Sequence, residues 1–200
     1  MSPSCERNKD PILEVMKEVI TEDNHVLLEV GSGTGQHAVY LAPHFPHVKW
    51  ITSDVLGNHA GIKMWLDEAK VPNIARPIEF KIGKDEFPKV VVDLVFTANT
   101  FHIMHWKECK TLMKMWGHRL REGAQVMIYG PFNYNGTFSS PSNEQFDRSL
   151  KVEDPLRGIR SYDDVHNNMV KNGFALCKDY EMPANNRMLV YRRLEFVSQK

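Results

Sequence analysis

The chain has 200 residues, of which 42% are hydrophobic and 25% charged, and its formal net charge at pH 7 is zero. This length and balance predict one domain, residues 1–200, around a single hydrophobic core, and they argue against a disordered or fibrous chain. A neutral chain has no general attraction to nucleic acid or to an anionic membrane, so neither partner is expected.

The cysteines and the N-terminal residues indicate the cellular compartment of the protein. Cys5, Cys109 and Cys177 form no CxxC pair, which predicts reduced thiols in a cytosolic protein. No apolar stretch is long enough to span a bilayer, and the N-terminal sequence MSPSCERNKDPIL is too polar for a secretory signal. The sequence therefore predicts a soluble, cytoplasmic protein and leaves a nuclear location open.

Strands and helices alternate from about residue 10 to residue 130. Apolar spacing predicts a first helix over 11–20, with Pro11 in its first turn. The predicted strands that follow are 25–30, 48–54, 78–82, 92–99 and 124–130, and the predicted helices between them are 36–45, 60–70 and 106–120. Such alternation is typical of parallel βαβ units.

The alternation ends after residue 130. Residues 131–160 are rich in Pro, Gly, Asn and Ser and are interpreted as a substrate-side insertion. Within them, SNEQ matches a capping box and predicts a short helix that begins at Ser142. A helix is predicted over 162–173, and two strands, 174–182 and 187–196, follow it. Their connection is so short that the two strands must be antiparallel. The predicted fold is α/β, with a mostly parallel sheet, helices on both faces and a C-terminal antiparallel hairpin.

The sequence EVGSGTGQ, residues 29–36, ends the first strand and opens the next helix. In open α/β sheets, ligands bind at this position. Gln36 stands where the dinucleotide fingerprint GxGxxG needs its third glycine. Glu29 would repel a pyrophosphate but attract an ammonium group. The turn formed by Gly31, Ser32, Gly33 and Gly35 therefore predicts a cationic cofactor, S-adenosylmethionine, whose ammonium group Glu29 would hold.

Asp54 ends the second strand, where an acid can accept hydrogen bonds from two ribose hydroxyls. Folds that bind NAD share this feature, so it does not discriminate between the two cofactors. For both Glu29 and Asp54, the alternative interpretation is an ordinary acid in a solvated loop.

EVGSGTGQ resembles motif I of class I S-adenosylmethionine-dependent methyltransferases, and Asp54 matches their acidic second motif. With ERNKDPIL, ANTFHI, YGPF, FDRSL and MPANN, the chain is similar over nearly its whole length to the methyltransferase-like protein 26 family. The resemblance implies a Rossmann-like class I methyltransferase fold of seven strands, with the last strand antiparallel. It implies no particular reaction.

Further cofactor contacts are predicted around these motifs. Many class I enzymes carry an adenine-binding acid after the third strand, and Asp85 lies one residue beyond the corresponding place, which Lys84 occupies. Arg7 and Asn8 precede the first predicted helix and are candidates to fold over the cofactor, with Arg7 pairing to its carboxylate. An ordinary surface arginine is the alternative for Arg7.

The segment ANTFHIMHW, residues 98–106, follows the fourth strand, beside the transferred methyl group in the implied fold. Asn99 is a predicted cofactor contact. Enzymes that methylate bases carry prolines here, and their absence argues against a nucleic-acid substrate. His102 is a candidate proton acceptor, and a packing or capping histidine is the alternative. His102 and His105 also have the spacing of a metal pair, but no third ligand is evident, so no metal is predicted.

The acceptor is predicted to be a small molecule or a peptide end, covered by residues 131–147. Tyr129 is the second candidate catalytic residue, with plain packing as its alternative. The predicted substrate contacts are Phe132, Phe138, Asn143, Phe146 and Asp147. Partner proteins are unknown. Two other functions stay open: a cofactor-binding regulatory protein without transferase activity, and a nicotinamide-dependent oxidoreductase, against which Gln36 and Glu29 count.

Overall fold

The structure is a computed structural model that describes residues 3–195. Its first part alternates helix and strand. The elements in chain order are α1 Pro3–Val19, β1 Val26–Val30, α2 Gln36–Leu41, β2 Lys49–Asp54, α3 His59–Ala69, β3 Ile74–Glu79 and β4 Leu94–Ala98. Short 3₁₀ turns follow α2 and precede α3.

The second part begins with the same alternation and ends in the hairpin. Its elements are α4 Trp106–Arg119, β5 Gln125–Gly130, β6 Phe132–Asn133, α5 Pro141–Glu153, β7 Arg160–Ser161, α6 Tyr162–Lys171, β8 Phe174–Met182 and β9 Asn186–Arg193. The short strands β6 and β7, which the sequence did not predict, pair in parallel as a separate small sheet.

The main sheet has seven strands in the order β3-β2-β1-β4-β5-β9-β8. Strand β1 pairs in parallel with β2 and β4, and β2 pairs in parallel with β3. Strand β9 is antiparallel to both β5 and β8. The predicted fold class, including the C-terminal antiparallel hairpin, is confirmed. The predicted end of the last strand, Phe196, lies outside the described residues.

The chain divides into two compact units, residues 1–97 and 98–200. The interpretation of 1–200 as a single domain stays a prediction. In the part of the chain that the structure describes, no helix has both the length and the apolar character needed to cross a membrane.

Helix α1 differs most from its prediction, because it begins at Pro3 rather than at residue 11. Pro11 therefore lies inside the helix, where it donates no hydrogen bond and its ring crowds the preceding turn. Burial explains the extension: Cys5 and Asn8, in the added turns, are 4% and 6% exposed. Packing of these turns offsets the cost of the internal proline.

Replacing Pro11 with alanine is expected to stabilise the protein by about 1–3 kcal/mol, because the backbone N–H regained can bond within α1. Chemical denaturation of both proteins measures this difference in the free energy of unfolding. Pro72→Ala is the matched control, since Pro72 lies in the turn before β3 and no helical bond is regained there. An unchanged or lower stability of Pro11→Ala would show that the helix gains nothing from the bond.

Two other boundaries were predicted wrongly. Strand β3 runs from Ile74 to Glu79 rather than over 78–82, because it pairs with β2 from Trp50 to Asp54. Its internal Pro77 is tolerated since β3 lies at the edge of the sheet. Helix α5 is capped by Ser140, not Ser142, and runs for 13 residues. The Ser140 hydroxyl accepts the Asn143 N–H at 3.1 Å, and a proline occupies the first helical position.

Candidate functional site

The glycine turn after β1 depends on backbone conformations that favour glycine. Gly31, Gly33 and Gly35 have φ angles of 73°, 58° and 84°, all in the left-handed region. A Cβ atom on Gly35 would also lie 3.3 Å from the Ile62 Cα of α3. Glycine at position 35 therefore serves both the turn and the close approach of α2 to α3.

Hydrogen bonds to β2 hold this turn in place. The Gly31 and Ser32 N–H groups both donate to the Ser53 carbonyl at 3.0 Å. The Ser53 N–H in turn donates to the Ser32 hydroxyl oxygen at 3.1 Å. Ser32 is 5% exposed, so its side chain is part of the framework of the turn.

Glu29 lies at the end of β1 and is only 2% exposed. The Trp50 indole N–H donates to its Oε2 atom at 2.9 Å, and the Ser32 side chain is a second hydrogen-bond partner. Burial raises the Glu29 pKa to about 7; these two bonds oppose the rise and the Asp54 charge adds to it. Within residues 3–195, the groups that act on this carboxylate include no cation.

Asp54, at the end of β2, is bound on both carboxylate oxygens. The Gly33 N–H donates to Oδ2 at 2.7 Å. The Val55 N–H and the Asn58 side-chain amide donate to Oδ1 at 2.7 Å and 2.9 Å. This acid therefore ties the glycine turn to the segment that follows β2. Whether it also binds a ribose stays a prediction.

The other predicted cofactor residues of the first unit have different surroundings. Asn8 is buried, and its side-chain oxygen lies 2.8 Å from the His37 Nε2 atom of α2. Burial lowers the His37 pKa to about 4. Arg7 is exposed on α1. The Asp85 carboxylate accepts the Lys81 N–H at 2.6 Å and so closes a turn. Cofactor contacts of these residues stay predictions.

In the second unit, Asn99 follows β4 with a φ of 57°. Asparagine tolerates this left-handed conformation better than most residues, and such positions are common at functional sites. Its N–H donates to the Tyr129 carbonyl at 2.9 Å. Tyr129 is 3% exposed, which favours packing. The predicted roles of both residues are untested.

His102 is 5% exposed, and its ring meets the Phe146 ring edge to face, with centroids 5.2 Å apart. Burial, and secondarily the Arg160 charge, lower the His102 pKa to about 4, so the imidazole is neutral at pH 7. The His102 ring lies beside the end of β5, since a Cβ atom built on Gly130 would lie 3.7 Å from His102 Nδ1. A neutral imidazole can accept a hydrogen bond or a proton.

His105 has a different role from His102. It caps α4, and its Nε2 atom lies 2.7 Å from the Asp154 carboxylate. Among residues 3–195, no group of three or more His, Cys, Asp or Glu side chains is arranged to hold a metal ion.

The predicted substrate contacts differ in exposure. Phe146 is 40% exposed, whereas Phe132 is 1% exposed and packs in the interior. Phe138 has intermediate exposure. The buried Asn143 amide donates to Ser139 and, at 3.3 Å, to the Asn185 carbonyl. Of these four side chains, Phe146 is the most exposed and so can contact an apolar ligand most easily. Substrate binding by all four stays a prediction.

Asp147 is 3% exposed, and both of its carboxylate oxygens have protein partners. Oδ1 accepts the Ile159 N–H at 2.8 Å, and Oδ2 pairs with Lys151 at 2.6 Å. The observed contacts therefore give Asp147 a structural role in the segment before β7. A contact with the substrate stays a prediction.

Sequence reasoning missed Trp50, Asn58 and Arg160. Trp50 reaches Glu29 because Glu29 pairs with Thr52 and side chains two residues apart share one face of a strand; that register is a property of the folded sheet, so no local pattern indicated the contact. Asn58 four residues after Asp54 was a weak signal. Arg160 binds backbone atoms 56 and 59 residues away, and no local pattern points to such contacts.

A family model described as "Protein of unknown function (DUF938)" matches residues 1–193. Solved structures are also similar. An O-methyltransferase family protein from Burkholderia thailandensis has a TM-score of 0.81 at 11% identity, covering 94% of this chain and 57% of its own. An O-methyltransferase family 2 protein from Planctomyces limnophilus, in complex with apigenin, has a TM-score of 0.80 at 13% identity, with coverages of 94% and 56%.

Human N-acetylserotonin methyltransferase, in complex with S-adenosylmethionine, has a TM-score of 0.72 at 16% identity, covering 96% of this chain and 58% of its own. This chain thus spans less than three fifths of each of the three proteins. At such low identities the similarity establishes the fold alone. That fold is the methyltransferase fold that the sequence resemblance implied.

Proposed function

The chain belongs to the family described as "Protein of unknown function (DUF938)", and from its site we propose that it is an S-adenosylmethionine-dependent methyltransferase. The observation that carries the proposal is Glu29, a carboxylate 2% exposed beside the glycine turn, whose two hydrogen-bond donors within residues 3–195 are neutral. A buried carboxylate is costly unless a cation accompanies it.

The α-ammonium group of S-adenosylmethionine would supply the missing cation. Two donors occupy part of the acceptor capacity of the Glu29 carboxylate, which leaves room for a further charged donor. A nucleotide pyrophosphate in the same place would be repelled by this carboxylate. The charge at the glycine turn therefore favours S-adenosylmethionine over NAD.

When bound, the cofactor supplies a methyl group on a sulfonium for in-line displacement. The glycine turn would hold its amino-acid end and Asp54 its ribose; Arg7, Asn8, Asp85 and Asn99 are the remaining proposed contacts. An acceptor hydroxyl or amine must lose a proton in the reaction. The neutral His102 imidazole is the proposed hydrogen-bond acceptor for that group, and catalysis comes mainly from positioning.

The proposed acceptor is a small molecule or a peptide end. Phe146 supports this, since it offers a 40% exposed aromatic ring against His102. Human N-acetylserotonin methyltransferase has a similar fold, and its name indicates that its own acceptor is a small molecule. The chain's zero net charge gives no general electrostatic advantage to a polyanion. The finer resemblance to the methyltransferase-like protein 26 family and a cytoplasmic location belong to the same proposal.

Calorimetry with the purified protein tests the cofactor. S-adenosylmethionine and its demethylated product, S-adenosylhomocysteine, are expected to bind, and NAD at the same concentration is not. Labelled S-adenosylmethionine with pooled metabolites and short peptides then tests transfer. Binding without any transfer would favour a regulatory protein that only senses the cofactor. Tight NAD binding without S-adenosylhomocysteine binding would overturn the proposal.

A further inference from the structure

The turn that carries His102 has little regular structure of its own. Its internal bonds run from the Ile103 and Met104 N–H groups to the Thr100 carbonyl, at 3.0 Å and 2.9 Å. The orientation of His102 therefore depends on contacts from outside residues 100–104.

The Arg160 side chain supplies two of those contacts. The Arg160 guanidinium donates from Nε to the Phe101 carbonyl at 2.9 Å and from Nη2 to the Met104 carbonyl. The same Nη2 atom donates to the Leu156 carbonyl at 3.0 Å. Arginine presents several donors in a rigid plane, so this single group connects the His102 turn to residues 156–160.

A backbone bond acts beside the guanidinium. The Gly158 N–H donates to the His102 carbonyl at 3.0 Å. Gly158 has a φ of 146°, and a Cβ atom there would lie only 2.7 Å from the Asp147 Oδ1 atom. Asp147 also holds the Ile159 N–H. The turn is thus fixed to α5 through the segment that Asp147 stabilises.

The positive charge of Arg160 is not neutralised by the groups that it binds. Within residues 3–195, its partners are the three carbonyl oxygens and the Cys109 side chain, and no carboxylate forms an ion pair with it. An arginine without a paired acid leaves a positive field on the nearby imidazole. That field disfavours a second positive charge on His102.

We propose that Arg160 is a positioning residue: it fixes the turn 100–104 and so holds the His102 imidazole in the orientation that accepts a hydrogen bond from the methyl acceptor. The part of this role that concerns the acceptor rests on the proposed methyltransferase function. The effect of Arg160 on the turn and on His102 does not rest on that function. It can be measured in the protein without any ligand.

NMR titration of the His102 ring and amide hydrogen exchange test the proposal in the full chain. In Arg160→Met, the Ile103 and Met104 amides are expected to exchange at least about tenfold faster, whereas the His102 pKa should rise only slightly from about 4, because burial is its larger cause. In Arg160→Lys, which keeps the charge but not the planar donor set, exchange is expected to rise while the pKa stays low.

Arg157→Met is the matched control, because Arg157 lies in the same segment but pairs with Glu153 at 3.0 Å; it should change neither quantity. Arg160→Met with the amide exchange rates of the unaltered protein would overturn the proposal. If that variant does not fold, unchanged exchange in Arg160→Lys would overturn it equally. Failure to bind S-adenosylmethionine would instead contradict the methyltransferase function and leave these two measurements to decide the role of Arg160.

Discussion

Glu29→Gln is expected to weaken S-adenosylhomocysteine binding at pH 8 by about 1.5–3 kcal/mol, or roughly 10- to 150-fold. The product carries the same ammonium group as the cofactor, and the substitution removes the charge that attracts it while preserving the side-chain shape. Because the Glu29 pKa is about 7, the unaltered protein should bind the product more weakly as the pH falls to 6. The variant should lack this dependence. Calorimetry at both pH values measures the difference.

The same substitution is expected to stabilise the empty protein at pH 8. The folded-state pKa of Glu29, about 7, lies above its ordinary value of 4.5. Stability from this group is therefore fully present below pH 4.5 and lost as the pH rises through 7. Removing the ionisable group should recover up to about 3 kcal/mol of the free energy of unfolding at pH 8.

Glu22→Gln is the control for both measurements, since the Glu22 side chain is 92% exposed. Opposite effects on stability and binding are the signature of a charge kept for a cationic ligand. If Glu29→Gln bound the product normally, or if it destabilised the empty protein at pH 8, Glu29 would be a structural acid.

The first strand and the glycine turn were predictable because their signals are local. A short apolar run, an acid and alternating glycines occupy 11 consecutive residues, 25–35, and strand β1 was placed to within one residue. The C-terminal hairpin was predictable for a geometric reason, since a short connection permits only antiparallel pairing. Positions 31, 33 and 35 all adopt backbone conformations that favour glycine.

Features that depend on distant contacts were not predictable. Helix α1 extends to Pro3 because Cys5 and Asn8 are buried. The local preference of Pro11 for the first turn of a helix gives no indication of that burial. Strand β3 is defined by its partner β2 rather than by its own sequence. Arg160 was missed because its acceptors are carbonyl groups, which every residue carries. Asp54 was found, but its three internal hydrogen bonds depend on the folded turn.

Asp54→Asn is expected to lower the free energy of unfolding of the empty protein by about 2–4 kcal/mol. The carboxylate accepts the Gly33 N–H on one oxygen and the Val55 and Asn58 donors on the other. An asparagine has one oxygen, so its NH₂ group must face at least one of these donors. Hydrogen bonds to a charged group are worth about 1.5–3 kcal/mol each, and a buried donor left unsatisfied adds a further cost.

Two companion variants separate this effect from a general loss of charge. Asn58→Ala removes a single donor to Asp54 and should cost about 1.5 kcal/mol, the low end of that range, because Asn58 is exposed. Asp67→Asn removes an exposed acid that pairs with Arg76 on the surface, and it should cost less than about 1 kcal/mol. Chemical denaturation without ligand measures all three variants on one scale.

Binding of S-adenosylhomocysteine to Asp54→Asn, measured at a temperature where the variant is fully folded, then tests the ribose contact. The proposed role predicts a further loss of affinity, because the acid would accept hydroxyl groups with the lone pairs that its internal donors leave free. A destabilised variant with normal affinity would make Asp54 a purely structural acid that shapes the glycine turn. A variant as stable as the unaltered protein would instead mean that the three internal bonds contribute little. The carboxylate would then be retained for a ligand alone.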